Sequence, residues 1–178
     1  SDVCSSDLVQ NAFVVADMPF GSYDDPESAV KNSTLLVEKG GANAVLMEGR
    51  SVLPSIRAVV QQGIPVMGIV GMPVDDIERL GPFSEHSQKH KPEYLEVARS
   101  SLELQEAGCF ALILRTIPAT LSRLITKSLR IPTVGIGAGR KVDGQLLLFH
   151  DMMGIIDEIG RAHVRTPVTR SSRMPSSA

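Results

Sequence analysis

Six apolar runs punctuate the middle of this chain, and each of them ends in a carboxylate, a cation or a glycine. The runs lie at residues 13–17, 44–49, 64–68, 111–115, 133–137 and 146–151. Runs of this length, bounded by turn residues, are typical of buried strands. Polar residues gathered at the carboxyl ends of successive parallel strands indicate the edge at which a β/α barrel builds its chemistry.

Helical patterns separate these runs. The predicted helices begin near Asp25, Ser51, Lys91 and Pro118. Strands that alternate with helices predict an α/β fold with a parallel sheet. We therefore predict a (β/α)8 TIM barrel, present here as an incomplete barrel of about six β/α units. A doubly wound sheet is the alternative.

Residues 73–90 form a long polar segment without a clear period, and we predict a functional lid or an inserted excursion there. His86 and His90 are four residues apart in it, so they would share a face if the segment were helical. They are then either metal ligands or solvated loop residues.

Asp17 and Glu48 end the first two apolar runs and form the best candidate pair. Two carboxylates on adjacent strands can share a hard divalent cation such as Mg²⁺. Alternatively, each carboxylate caps a neighbouring helix or pairs with Arg50 or Lys31.

Three further features carry two interpretations each. Arg115, at a strand end, is suited either to an anion such as a carboxylate or to a salt bridge with a neighbouring acid. The glycine-rich stretch 135–139 departs from G-x-G-x-x-G, which favours a tight strand exit over a dinucleotide site. His150 and Asp151 are an acid/base pair or a structural hydrogen-bonded histidine.

Composition excludes several classes of function. The net charge is −2, so no basic excess indicates nucleic acid. No apolar run approaches the ~20 residues of a membrane span. Cys4 and Cys109 provide no disulfide framework, which fits a reducing compartment.

Five blocks, in order along the chain, resemble the ketopantoate hydroxymethyltransferase family. They are VVADMPFGSY at 14–23, GANAVLMEG at 41–49, GIPVMG at 63–68, LQEAGCFALIL at 104–114, and IPTVGIGAG with VDGQLLLFHDMMGI at 131–155. Together the blocks cover nearly all of residues 11–155.

The resemblance implies a Mg²⁺-dependent barrel enzyme that transfers a hydroxymethyl group from methylenetetrahydrofolate to the α-keto acid 3-methyl-2-oxobutanoate, towards pantothenate. It implies that Asp17 and Glu48 bind the metal, and that a further Asp-Ser pair precedes Val9. It also implies a cytoplasmic homo-oligomer, commonly a decamer. The alternatives are a non-catalytic paralogue and a related metal-dependent carbon–carbon lyase or mutase.

The chain departs from the family pattern at the catalytic edge. The resemblance implies a substrate-binding lysine where Leu46 stands, a histidine where Ile69 stands and the catalytic glutamate where Arg115 stands. The segment 75–79 also differs. We therefore expect Arg115 to bind substrate, the catalytic residues to be unassigned, and the chemistry of the site to have changed.

The two ends of the chain look foreign to the rest. SDVCSSDL at residues 1–8 and IGRAHV at residues 159–164 can be translated from the two strands of one adapter-like DNA string. We therefore expect residues 1–8 and 158–178 to be adapter-derived and non-native, and residues 9–157 to be a single barrel fragment.

Overall fold

The computed structural model describes residues 11–71 and 91–148. Strands and helices alternate along them. The elements are β1 (Val15–Asp17), α1 (Pro26–Glu38), β2 (Ala44–Glu48), α2 (Leu53–Gln61), β3 (Val66–Gly71), α3 (Lys91–Glu106), β4 (Ala111–Arg115), α4 (Ala119–Ser128), β5 (Thr133–Ile136) and β6 (Gly144–Gln145). None of these helices is both long enough and apolar enough to cross a membrane.

The strands form one sheet in which every neighbouring pair is parallel and the spatial order follows the chain, β1-β2-β3-β4-β5-β6. A doubly wound sheet reverses its strand order at a switch point, whereas a β/α barrel adds each strand beside the previous one. The observed order is therefore that of an incomplete barrel, as predicted, and the doubly wound alternative is wrong.

The start of α1 follows the predicted local chemistry. The Asp25 carboxylate accepts a hydrogen bond from the Ser28 backbone N–H at 2.8 Å, Pro26 occupies the first turn, and Glu27 adds a negative charge there. The predicted start of α2 at Ser51 is wrong. That helix begins at Leu53 after Val52, and no side chain caps it.

The last strand also differs from its prediction. The sequence predicts it over residues 146–151, of which 149–151 lie outside the described residues. Among the described residues, the strand pairing covers Gly144 and Gln145. Asp143 explains the earlier start, because its carboxylate accepts hydrogen bonds from the Thr133 backbone N–H at 2.8 Å and the Thr133 hydroxyl at 3.0 Å. This contact brings the chain beside β5 before the apolar run begins.

Alternation along the strands separates two faces of the sheet. One face packs under the helices, and its buried side chains include Val45, Met47, Val66, Leu112 and Leu114. The intervening residues face the interior of the incomplete barrel. This second face, which we call the inner face, carries Asp17, Leu46, Glu48, Ile69 and Arg115.

Gly68 marks the tightest packing on the helix side of β3. A Cβ there would lie 2.8 Å from Leu112 Cδ2, 3.2 Å from Cys109 Sγ and 3.3 Å from Leu104 Cδ1. We predict that Gly68→Ala lowers the free energy of unfolding by about 1–3 kcal/mol, because the added methyl overpacks the core.

Gly144→Ala is the matched control for this substitution. A Cβ on Gly144 meets its nearest neighbour, Val134 Cγ2, at 3.6 Å, which is ordinary van der Waals contact. Its effect should stay within about 0.5 kcal/mol. Denaturant unfolding followed by circular dichroism compares the two variants, and equal losses would contradict this account of the packing.

Candidate functional site

Three charged side chains meet at the carboxyl edge of the inner face. Asp17, Glu48 and Arg115 are the last residues of β1, β2 and β4. Each lies an even number of residues from inner-face neighbours on its own strand, so all three project to the same side. The structure thus brings together the three residues that the sequence singled out.

The Arg115 guanidinium donates a hydrogen bond from Nη2 to Glu48 Oε1 and forms an ion pair with it. In the sheet, β3 lies between the strands that carry these residues, so the arginine side chain reaches across β3. Gly71 is the β3 residue in register with Arg115. A Cβ on Gly71 would lie 2.5 Å from the Arg115 carbonyl oxygen, so only glycine permits this close approach of β3 and β4.

Arg50 was an alternative partner for Glu48, but it bonds elsewhere. Its Nε and Nη2 donate to the two carboxylate oxygens of Glu103 at 2.5 and 3.0 Å, and Glu103 also accepts from Arg99 Nε at 2.9 Å. Because Glu103 lies on α3, this bidentate pair fastens the loop after β2 to that helix. Arg50 is therefore not the partner of Glu48, which pairs with Arg115 instead.

A cleft of about 290 Å³ opens between the carboxyl ends of β2 and β3 and one side of α3. Glu48, Ile69 and Gly71 line it from the sheet, and Glu93 and Ser100 line it from the helix. Glu48 therefore belongs to the charged trio at the strand ends and also lines this cleft.

The carboxyl group of Asp17 has a raised pKa. Loss of surrounding water is the largest cause, and the negative charge of Glu48 raises the pKa further, while the Arg115 guanidinium acts in the opposite direction. Asp17 and Glu48 therefore lie close enough to repel each other. Such repulsion is what a shared cation would relieve.

Tyr23 belongs to the site although no sequence pattern marks it. Its side chain is buried, and its hydroxyl oxygen accepts a hydrogen bond from the Glu48 backbone N–H at 3.4 Å. Burial raises the pKa of the Tyr23 hydroxyl, the hydrogen bond from the Glu48 backbone acts in the opposite direction, and the negative charges of Glu48 and Asp17 raise the pKa further. The hydroxyl consequently keeps its proton at neutral pH and can donate it in a hydrogen bond.

Thr116, directly after Arg115, adopts a left-handed backbone conformation with φ of 51°, and it is the only non-glycine residue with positive φ in the described ranges. A β-branched residue pays a conformational cost there. The Thr116 N–H donates to the Ile136 carbonyl oxygen at 2.7 Å, which holds the turn against β5. This turn ends β4 at the residue that carries the guanidinium.

Leu46 and Ile69 form the apolar part of the inner face beneath the charged trio. Leu46 is half-buried and lies in register with Asp17 on β1, and Ile69 is buried and lies in register with Glu48 on β2. Side chains at both positions therefore project from the inner face, on the same side of the sheet as the charged trio.

The other candidates separate into two groups. Gly137 and Gly139 have φ of 61° and 75°, and a Cβ on Gly139 would lie 2.5 Å from Ala119 Cβ, as expected of a tight strand exit. His86, His90, His150 and Asp151, with the segments 73–90 and 75–79, lie outside the described residues.

The donor set fits a magnesium ion. Within residues 11–71 and 91–148, no group of three or more histidine, cysteine or acidic side chains could hold a metal. Magnesium needs fewer protein ligands than that, because it usually keeps several waters and takes one or two carboxylates beside substrate oxygens. Asp17 and Glu48 are two carboxylates that could hold such an ion.

We predict that Asp17→Asn stabilises the fold at neutral pH in the absence of divalent cations. Because the folded pKa of Asp17 is raised above its usual value of 3.8, the folded state holds this proton more tightly, and stability falls as the pH rises from 3.8 through the folded pKa. The asparagine amide carries no ionisable proton, so the variant does not lose this stability as the pH rises.

Thermal unfolding of the wild type and Asp17→Asn at several pH values from 3 to 7 checks this. The melting-temperature difference should grow across the window just above 3.8 and then stay constant. Asp24→Asn, an exposed carboxylate in the loop after β1, is the control. A destabilised Asp17→Asn at pH 7 would contradict the electrostatic account.

Solved structures support the barrel architecture. Orotidine 5'-monophosphate decarboxylase from Methanocaldococcus jannaschii superposes with a TM-score of 0.58 at 13% identity, covering 92% of this chain and 73% of that one. The BexX/CysO complex of Amycolatopsis orientalis gives 0.52 at 16% identity, covering 92% and 71%. At these identities the likeness concerns the fold alone.

Sequence comparisons identify the family. The ketopantoate hydroxymethyltransferase profile matches residues 3–177. The protein of Moorella thermoacetica named 3-methyl-2-oxobutanoate hydroxymethyltransferase is 45% identical over 148 residues, which are 82% of this chain and 55% of that protein. The protein of the same name from Clostridium botulinum is 40% identical over 151 residues, covering 84% and 54%. The chain spans about half the length of these relatives, and it belongs to the ketopantoate hydroxymethyltransferase family.

Proposed function

We propose that the full-length protein is a Mg²⁺-dependent hydroxymethyltransferase that acts on a small α-keto acid, with methylenetetrahydrofolate as the one-carbon donor. Family membership supports the reaction class. The observation that carries the proposal is the placement of Asp17 and Glu48 on adjacent strands at one edge of the inner face.

Asp17 and Glu48 would hold the magnesium ion. When bound, the ion supplies a Lewis acid that polarises the keto oxygen of the substrate. The protein contributes the rest of the site. Ile69 is buried on the inner face below, and the retained proton of Tyr23 provides a neutral hydrogen-bond donor beside Glu48.

Arg115 would bind an anionic group of the substrate. Its guanidinium stays protonated at any physiological pH, so it cannot remove a proton from the keto acid. It can instead grip a carboxylate or phosphate through two parallel hydrogen bonds. We infer that the preferred substrate carries a second anionic group, unlike the branched monocarboxylate 3-methyl-2-oxobutanoate.

A non-catalytic paralogue that keeps the barrel is the second candidate. The observation that favours it is the substitution pattern on the inner face, where Leu46, Ile69 and Arg115 replace the lysine, histidine and glutamate that the family resemblance implies. Recovering the complete coding sequence separates the candidates. An Asp-Ser pair after the first strand supports the enzyme, and its absence supports the paralogue.

The same coding sequence tests the remaining expectations. We propose that residues 1–8 and 158–178 are adapter-derived and that residues 9–157 are the native part of the barrel. We further propose, from the family alone, that the natural protein is a cytoplasmic homo-oligomer. Size-exclusion chromatography with light scattering measures its assembly, and a monomer would contradict the proposed assembly.

We predict that Asp17→Ala and Glu48→Ala each weaken Mg²⁺ binding to the full-length protein at least tenfold, which corresponds to about 1.4 kcal/mol. Each substitution removes one of the two proposed carboxylate ligands. Isothermal titration calorimetry measures the affinities, with Glu38→Ala at the end of α1 as the control. Equal affinities in all four proteins would remove the metal site.

We also predict little or no hydroxymethyl transfer to 3-methyl-2-oxobutanoate by the wild-type protein. A positioned acid or base typically contributes ~10²–10⁴-fold, and Arg115 cannot act as one. Leu46 and Ile69 in addition leave substrate oxygens without partners, at about 1–3 kcal/mol each.

Turnover assays with methylenetetrahydrofolate compare 3-methyl-2-oxobutanoate with 2-oxoglutarate, a keto acid that carries a second carboxylate. The triple substitution Leu46→Lys, Ile69→His and Arg115→Glu restores the family pattern and should move any activity towards the monocarboxylate. Rapid wild-type turnover of 3-methyl-2-oxobutanoate would show that these three positions do not control the reaction.

A further inference from the structure

We propose that cation binding at Asp17 and Glu48 and anion binding at Arg115 are coupled, because Arg115 serves as the counter-ion of Glu48 until a divalent cation displaces it. Displacement frees the guanidinium to bind an anion. This inference rests on the proposed metal site and adds a mode of regulation to it.

The contact between the two side chains suits such an exchange. Arg115 reaches Glu48 through one nitrogen, and the two side chains remain 39% and 45% exposed. Exposed ion pairs contribute little to stability, so this one can open at low cost. No other ion pair of Arg115 occurs among the described residues. Its remaining N–H donors are available to a ligand.

Arg50 provides an internal comparison. Its guanidinium makes two hydrogen bonds to Glu103 and a further ion pair with Glu96 at 3.7 Å. These several contacts, two of them a bidentate pair, fix the Arg50 side chain to α3. The single bond of Arg115 contrasts with it, and Arg115 is therefore the guanidinium that can move.

Charge explains why the cation and the guanidinium exclude each other. Asp17, Glu48 and Arg115 carry a formal sum of −1, from two carboxylates and one guanidinium. A divalent cation would have to approach Glu48 against the positive charge already bonded to it. With glutamate at position 115 the sum would be −3, and the same cation would meet only attraction.

The same sum of formal charges explains why an anion binds after the cation. Adding a dication to a site of charge −1 leaves a sum of +1, and the displaced guanidinium lies beside it. An anion that bonds to Arg115 then prevents the guanidinium from returning to Glu48. Each ligand therefore raises the affinity of the site for the other, and by linkage the two factors are equal.

Cation titrations of the full-length protein test the first half of the proposal. Mn²⁺ binding is measured by electron paramagnetic resonance, and Mg²⁺ binding by calorimetry. We expect affinity to rise by at least about fivefold in Arg115→Gln and further in Arg115→Glu. Arg140→Gln removes an exposed charge from the loop after β5 and should leave the affinity within twofold of wild type.

Anion titrations test the second half. Glutarate is the probe, because it carries two carboxylates but lacks the keto oxygen that would chelate the metal directly. We expect saturating glutarate to tighten Mn²⁺ binding at least about fivefold in the wild type, and Mn²⁺ to tighten glutarate binding by the same factor. Neither effect should persist in Arg115→Gln.

The outcomes separate this inference from the proposed function. Metal binding that is unchanged or weakened in both Arg115 variants overturns the competition, while the metal site itself stands. If the Arg115 variants bind metal more tightly but glutarate does not tighten metal binding in the wild type, the proposed coupling to anion binding is overturned. Absence of metal binding in every protein overturns the proposed metal site together with the inference. Metal binding that is detectable only in the Arg115 variants supports the competition.

Discussion

Alternation of side chains along parallel strands is the constraint on which this structure depends. Because every second residue faces the helices, Val45 and Met47 of β2 enter the core, and Glu48, directly after Met47, must face the interior of the barrel. The same parity holds for Arg115 after Leu112 and Leu114 on β4. A shift of one residue in either strand would bury a charge under the helices and expose the core.

The carboxyl-edge candidates were predictable because strand ends can be read from the sequence. Asp17, Glu48 and Arg115 each follow an apolar run, and in a parallel sheet such ends share an edge. Their mutual contacts were not predictable. The Arg115–Glu48 pair crosses β3, and whether an arginine can reach that far depends on sheet curvature and on the absence of a side chain at Gly71.

The other features that the sequence did not predict depend on the conformation of loops and strand ends. Tyr23 reaches the Glu48 backbone only because of the path of the loop after β1. Thr116 takes a conformation that its residue type disfavours, so its own propensity points the wrong way. The sequence predicts that α2 begins at Ser51, yet the helix begins two residues later at Leu53. The contact of Asp143 with Thr133 starts the last strand earlier than its apolar run indicates. At Thr116 and Asp143, a tertiary contact overrides a local preference.

The contacts that stabilise the sheet and the residues of the candidate site lie at opposite edges of it. At the amino end of β5, Thr133 bonds to Asp143 and shares a hydroxyl hydrogen bond of 2.8 Å with Thr126 of α4. These contacts tie strand to helix without touching the charged trio. The carboxyl edge can therefore exchange a glutamate for an arginine while the core that holds the barrel is kept.

An arginine at this edge changes what the site can do more than a neutral residue would. Its charge cannot be removed by proton transfer at any physiological pH, so Glu48 has a permanent cationic neighbour. A pair that is about two-fifths exposed adds little to folding stability. We therefore infer that the Arg115–Glu48 ion pair acts mainly as an exchangeable contact. In this proposal, Glu48 changes its partner when ligands bind. Under the proposed function, a site of that kind would select substrates by their charge as well as by their keto group.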